Sequence, residues 1–377
     1  MKCLKLNPNT DFDLLCSLVS PHKMGQKIMQ KKSKLHFIFI ENLSAPAANI
    51  LKQDALRVGA ELVTHKEVIT GRVGASSALL IANEEQMIKL AIKEKQQDFG
   101  LKILAKFLQK SFTKPQKVRL MAVMNVNDDS FNPQSRVNPQ NAQQRLEELL
   151  SLEPDFIDVG AVSSRPGSLY CGREEEFARL KRVLDLIDAK NYHQKSIFSL
   201  DSFDAYCVEY ALNKGFKFIN DITGLQDVAL AGLARRYGAG YCLMHMQNSP
   251  HDMQDNPHYD NVLLELEDFF AQRLELLEGV EVVLDVGIGF GKRAAHNMLL
   301  IKHLEHFLHF ERPLLVGASR KSLIDAHFKS AVEERLAGSL YLHLRAHENG
   351  ASIIRTHDLK EHKQLFALHQ AYEGVIL

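Results

Sequence analysis

The residues best equipped for chemistry stand one group at a time behind short apolar runs: Asn125, Ser163-Ser164-Arg165, Asp201, Asn220-Asp221, His245, Asp285, Lys321, and Arg355 with His357. Asp201, Asn220 and Asp285 offer two carboxylates and an amide, a set that can grip the donor-rich edge of a planar aminopyrimidinone ring. Arg355 and His357, with Asn125 on a neighbouring strand, make a cationic pocket for phosphate or diphosphate. A magnesium ion fits beside them, held mainly by phosphate oxygens and the Asn125 amide oxygen. Lys321 and Ser322 open a predicted helix whose free N–H groups can hold a second anion such as a carboxylate. The plainer reading of these residues is loop capping and surface pairing.

Eight apolar runs must position these groups: 118–124, 156–159, 197–200, 216–219, 241–244, 282–284, 314–316 and 353–354. Each reads as a short buried parallel strand. Helical stretches at 142–150, 174–187, 259–277 and 333–348 lie among them. Strand then helix, eight times over about 250 residues, predicts an α/β fold, a (β/α)8 TIM barrel over 116–377. An open doubly wound sheet is the alternative. In a barrel, the polar groups after the strands converge on the C-terminal mouth, where such folds carry their sites.

Residues 1–115 do not follow that pattern. They predict a small α/β N-terminal domain of unknown role, with strands at 36–40, 61–64 and 78–81 and helices at 46–58 and 84–94, the first capped by Ser44. Five lysines from Lys23 to Lys34 read as a solvated, mobile connector rather than an anion site.

A chain of 377 residues, 45% apolar, suits one large domain and one smaller one. Its 46 basic and 46 acidic residues cancel, so no global field recruits nucleic acid or membrane, and any anion must be held locally. Five cysteines without a C-x-x-C pair point to reduced thiols in a cytoplasmic protein. Neither a signal peptide nor an apolar stretch long enough to span a bilayer is read.

Two other patterns weaken on inspection. Gly287-Ile-Gly-Phe-Gly-Lys292 is no Walker loop, because Val286 replaces the first glycine and Arg293 stands where Ser or Thr binds magnesium. It also misses the dinucleotide-binding spacing. His303, His306 and His309 recur every three residues, and His343 and His347 sit four apart, both spacings open to metal ligation. No carboxylate or cysteine pattern accompanies them in sequence, so exposed histidines are expected.

Seven motifs follow one another through 117–377: Met124-Asn-Val-Asn-Asp-Asp-Ser-Phe131, Ile157-Asp-Val-Gly-Ala-Val-Ser-Ser-Arg-Pro-Gly167, Ile219-Asn-Asp-Ile-Thr-Gly224, Leu243-Met-His-Met-Gln247, Leu284-Asp-Val-Gly-Ile-Gly-Phe-Gly-Lys292, Val316-Gly-Ala-Ser-Arg-Lys321 and Arg355-Thr-His-Asp358. In them the chain resembles the dihydropteroate synthases, folate-pathway transferases that join 6-hydroxymethyl-7,8-dihydropterin diphosphate to p-aminobenzoate. Leu51-Lys-Gln-Asp-Ala55 and Phe99-Gly-Leu-Lys102 resemble an extension found on some members. The resemblance implies that Asp201, Asn220, Asp285 and Lys321 hydrogen-bond the pterin, while Ile222, Met244 and Arg355 pack on its faces. It implies that Asn125, Arg355 and His357 hold the diphosphate with Mg2+. Ser164, Arg165, Pro166, Phe290 and Ser322 would frame p-aminobenzoate, where sulfonamides compete. Asn125, Lys321, Arg355 and His357 would carry catalysis, by a dissociative substitution that needs charge stabilisation more than a strong base.

The chain departs from the family pattern in its first two loops. Asn127-Asp128 replaces Thr-Pro, Asn132-Pro133-Gln134-Ser135 replaces Ser-Asp-Gly-Gly, and Val162 replaces a Glu. Asp128 and Asp129 are the available substitutes for the lost charge. A pterin-dependent methyltransferase and a non-catalytic pterin-binding relative are the rival readings. A homodimer through barrel helices is expected, including 333–348, where Leu336, Leu340 and Leu344 recur every four residues; that stripe equally suits packing on the barrel.

Overall fold

A computed structural model describes residues 1–126, 141–162 and 167–376. The chain divides into two compact units, Met1–Ser111 with His369–Leu377, and Phe112–Leu368.

In the first unit, β1 (Leu35–Ser44), β2 (Glu61–Thr64) and β3 (Ala75–Asn83) form an antiparallel sheet in the order β1-β3-β2. Ala78, Leu80 and Ala82 alternate along β3 and turn one face into a core shared with helices Ala45–Val58 and Glu84–Glu94. Ser44 caps the first of these helices, its Oγ accepting from Ala47 N, and Asn83 and Gln86 form a reciprocal capping box at the second. The lysine-rich segment departs from expectation, because Lys23–Gln30 is a helix capped by His22. Lys32 beyond it pairs with Glu85 at 3.1 Å, giving the segment a counter-charge that sequence reading did not supply.

The second unit is a closed parallel barrel of β4 (Arg119–Asn125), β5 (Phe156–Gly160), β6 (Ile197–Asp201), β7 (Phe218–Asp221), β8 (Gly240–Met244), β9 (Val282–Asp285), β10 (Leu314–Val316) and β11 (Ile353–Thr356). β11 closes the ring against β4. Each strand is buried on both sides, so no polar alternation shows in the sequence. Ile157, Val159, Leu200, Leu243 and Val316 face the surrounding helices. Met121, Phe156, Phe218, Cys242, Val283, Leu315 and Ile353 form a separate plug inside, where the Phe156 and Phe218 rings meet edge to face at 5.4 Å. Truncating a plug residue, as in Leu315→Ala, costs about 2–5 kcal/mol by transfer and cavity terms. Two positions further along the same strands, the inward residues become Asp158, Asn220, Asp285 and Arg355. The interior is thus apolar below and polar toward the mouth.

His303 is exposed as expected, but the other four histidines are not. His343 and His347 lie on the barrel-facing side of helix Leu336–Glu348 with Ser339, Leu342 and Ala346, while Leu336, Leu340 and Leu344 sit half-buried on its flank. His309 has only 2% of its side chain exposed and His306 18%, and both meet Glu267 of helix Val262–Leu276. A carboxylate some forty residues away in sequence is brought in by folding. Among the described residues, no helix is long and apolar enough to cross a membrane.

Candidate active site

At the polar end of the barrel, Arg355 on β11 is held at two edges. Its Nε donates to Asp158 Oδ2 and its Nη2 to Asp201 Oδ2, each at 2.7 Å. Asp158 also accepts from Ser199 Oγ at 2.5 Å and from Asn220 Nδ2 at 2.9 Å. One fully buried carboxylate on β5 thereby joins β6, β7 and β11 across the barrel. Burial opposes the charge of Arg355, but Asp158 and Asp201 outweigh it and keep the guanidinium protonated. Burial pushes the Asp201 carboxyl up, Arg355 pulls it back, and the nearby Asp158 adds to the rise. Asp158 was missed in the sequence, where its only signal is an acid inside an apolar strand.

A second group comes from β9 and the loops that follow. Asp285 Oδ1 accepts from Gly287 N at 2.7 Å. Burial raises the Asp285 carboxyl and Lys321 opposes the rise. Burial lowers Lys321 to about 8 against the pull of Asp285. Lys321 Nζ donates to Ile288 O and stands 4.4 Å from the Phe290 ring centroid. Gly287 has φ +66°, and a Cβ there would lie 1.9 Å from His245 O, so the loop closes only with glycine at this position. Lys292 ties the same two loops, donating to His245 O at 3.1 Å and Phe290 O at 2.9 Å. Burial lowers it to about 7.

His357 follows β11, with Nδ1 2.9 Å from Ser319 Oγ. Burial, and then Arg355, lowers it to about 3, so the ring is neutral. Asn125 ends β4, half-buried, next to the strand that carries Arg355. Ile222 and Met244 are buried at the ends of β7 and β8. Ser322 is exposed, and the helix it opens, Ser322–Asp325, is one turn long. So short a helix has little macrodipole, which leaves local N–H groups as its means of holding an anion. Ser164, Arg165 and Pro166, and the departures at Asn127, Asp128, Asp129 and Pro133, lie outside the described residues. Hydrogen bonds therefore gather Asp201, Asn220 and Arg355, and the sixth loop gathers Asp285, Lys321 and Phe290. Asn125, Ile222, Met244 and Ser322 are placed by their position at the strand ends.

Behind the mouth runs a line of two histidines. Ala318 N donates to His343 Nε2 at 2.8 Å, His343 Nδ1 lies 2.7 Å from His362 Nε2, and His362 Nδ1 lies 2.7 Å from Asp358 O. A backbone N–H can only donate and a carbonyl can only accept. Both tautomers are thus fixed, and the line joins the segment bearing Ser319 to the one bearing His357.

Residues 121–357 match the family model described as pterin binding enzyme. The bifunctional dihydropteroate synthase/dihydropteroate reductase of Helicobacter pylori is 38% identical over 375 residues, covering 98% of each chain. A Yersinia pestis dihydropteroate synthase solved with a sulfonamide drug complex superposes with a TM-score of 0.63 at 34% identity, covering 68% of this chain and 94% of that one. The Xanthomonas albilineans dihydropteroate synthase solved with 4-aminobenzoic acid gives 0.61 at 30% identity, covering 69% and 95%.

Proposed function

Because the chain belongs to the pterin-binding enzyme family, we propose that its barrel is a dihydropteroate synthase, joining 6-hydroxymethyl-7,8-dihydropterin diphosphate to p-aminobenzoate with release of diphosphate. The observation that carries this reading is the Arg355 guanidinium fixed by Asp158 and Asp201 beside neutral His357. Asp285, Asn220 and Lys321 bind the polar edge of the pterin, and Ile222, Met244 and Arg355 take its faces. The bond from the exocyclic methylene carbon to oxygen breaks, its electron pair leaves on diphosphate, and the positive charge spreads over the pterin. The aromatic amine then attacks that carbon and loses a proton to solvent. Arg355 and His357 donate hydrogen bonds to the leaving oxygens, and Lys321 aligns the ring. Ser164, Arg165, Pro166, Phe290 and Ser322 frame p-aminobenzoate.

The residues at the end of β4 fit Mg2+ as a companion of diphosphate. The neutral Asn125 oxygen would be its protein donor, near Arg355 on the adjoining strand and His357 just after it. Bound there, the ion would offset charge on the leaving group. The enzyme acts in the cytoplasm, a reducing setting that suits five free cysteines. It is a homodimer; a monomer at micromolar concentration in sedimentation rejects that state.

The methyltransferase and non-catalytic readings are not favoured, because the matched relatives are synthases. One additional activity has a specific support: the likeness to the bifunctional H. pylori protein runs through the N-terminal unit as well as the barrel. On that reading the full chain also reduces dihydropteroate, taking two electrons from a reduced nicotinamide or flavin.

The test is synthesis from the two purified substrates with Mg2+. Dihydropteroate and diphosphate in equal amounts are expected, and comparable synthesis from the unactivated hydroxymethyl pterin rejects the mechanism. A reduced nicotinamide or flavin added afterwards tests the second activity, and unchanged dihydropteroate counts against it.

A further inference from the structure

Outside the mouth, the described residues bring together three metal-ligating side chains that the synthase reaction does not use. His306 and His309 lie on the 3-10 segment Leu304–Phe310, and Glu267 lies on helix Val262–Leu276. A 3-10 helix has three residues per turn, so side chains three apart eclipse one another, and the two imidazoles leave the segment on one face. Glu267 straddles them, with Oε2 3.1 Å from His306 Nε2 and Oε1 3.0 Å from His309 Nε2. The two rings cross at 83° with centroids 5.4 Å apart, so their nitrogen edges converge instead of stacking.

We propose that Glu267, His306 and His309 form a divalent-cation site on the outer wall of the barrel, with zinc the metal that its donors suit. Two imidazoles and a carboxylate are a ligand set for zinc with one position left open. Ligand atoms bonded at about 2.1 Å around a tetrahedral ion stand about 3.4 Å apart. The three ligand atoms here all lie within 4.8 Å of one another, so small side-chain rotations bring them to that spacing. His309 is held by edge contact with Phe112 at 6.1 Å and by the Phe310 ring at 4.2 Å, which limits its orientation before metal arrives. The side chains of Glu267 and His306 are 22% and 18% exposed, giving an ion a route in and a water the fourth position. The segment ends shortly before β10, and Lys321 stands in the loop that follows that strand. The ion therefore pins helix Val262–Leu276 to the base of that strand and does not enter the reaction.

The competing arrangement is a metal-free carboxylate bridging two imidazoles by hydrogen bonds, and metal titration separates the two. The full chain is stripped with a chelator, and zinc is titrated in against a chromophoric competitor in excess magnesium. One zinc per chain at micromolar affinity or tighter is expected, with a rise in the thermal midpoint. Glu267→Gln and His306→Ala are each expected to weaken zinc binding at least tenfold, while His303→Ala, on the exposed neighbour, leaves it unchanged. Cobalt substitution of the wild-type chain is expected to give the strong visible bands of four-coordinate nitrogen and oxygen ligation, a readout that does not depend on variants folding. Failure of the wild type to take up stoichiometric zinc, absence of those bands, or equal binding by Glu267→Gln and wild type overturns the proposal.

Discussion

Asp158→Asn removes a charge from the centre of the candidate site with almost no change in shape. The amide oxygen can take the place of Oδ2 and keep the bonds from Arg355 Nε and Asn220 Nδ2, while its NH2 group faces Ser199 Oγ, whose hydroxyl turns to accept. Two bonds then lose charge assistance, about 1 to 1.5 kcal/mol each, or about 2 to 3 kcal/mol together. The fold loses a buried carboxylate at the same time, and the relief of its desolvation offsets most of that loss in the unfolding balance. Catalysis has no such offset, because Arg355 keeps only Asp201 as a charged anchor when it meets the leaving group. The expected result is kcat/KM for the pterin diphosphate lowered about 30- to 150-fold, with unfolding free energy changed by less than about 1 kcal/mol. Steady-state kinetics and urea denaturation on the same preparation measure both. A variant that loses 2 to 3 kcal/mol of stability yet keeps its kcat/KM assigns Asp158 to the fold alone and refutes this reasoning.

Asp285→Asn is expected to weaken pterin binding by about 2 to 5 kcal/mol, since the group facing the ring donors loses its charge and gains donors of its own; calorimetry showing unchanged affinity removes Asp285 from the site. Lys321 is already lowered to about 8, and the pterin acceptor it hydrogen-bonds draws it back toward the protonated form. Affinity for the pterin diphosphate should therefore fall as pH rises through 8, with proton uptake on binding at that pH; equal heats in buffers of different ionisation enthalpy contradict this. Sulfonamides are expected to compete with p-aminobenzoate and to bind more tightly with diphosphate and magnesium present; equal affinity without them counts against an ordered pocket that depends on Asn125, Arg355 and His357.

Eight strands were legible because burial on both faces makes each a short apolar run. Their ends were less so: β6, β7, β9 and β11 each continue into Asp201, Asn220-Asp221, Asp285 or Arg355-Thr356, residues that read as loop. These strands carry polar side chains where the barrel interior nears its mouth, and nothing local marks that change. Phe216 misled in the other direction, since it precedes β7 and packs on Phe198 without joining the ladder. The conspicuous polar groups stand at strand ends, where a sequence shows them. Asp158, His362 and Glu267 depend on partners 19 to 197 residues away and could be found only once the chain had folded.

The two-histidine line behind the mouth is a one-way street for protons, with no seat for an additional one. Burial holds both rings below the usual histidine range. In the unfolded chain they titrate at about 6.5, so the unfolded state takes up protons first and stability falls as pH drops through that value. A proton forced onto either ring turns an acceptor into a donor and sets N–H against N–H, at Ala318 or between the rings. Acidification therefore acts on the seam between β10 and β11, and with it on the alignment of Ser319 and His357. Acid tolerance and the seating of His357 are thereby linked through one pair of neutral imidazoles.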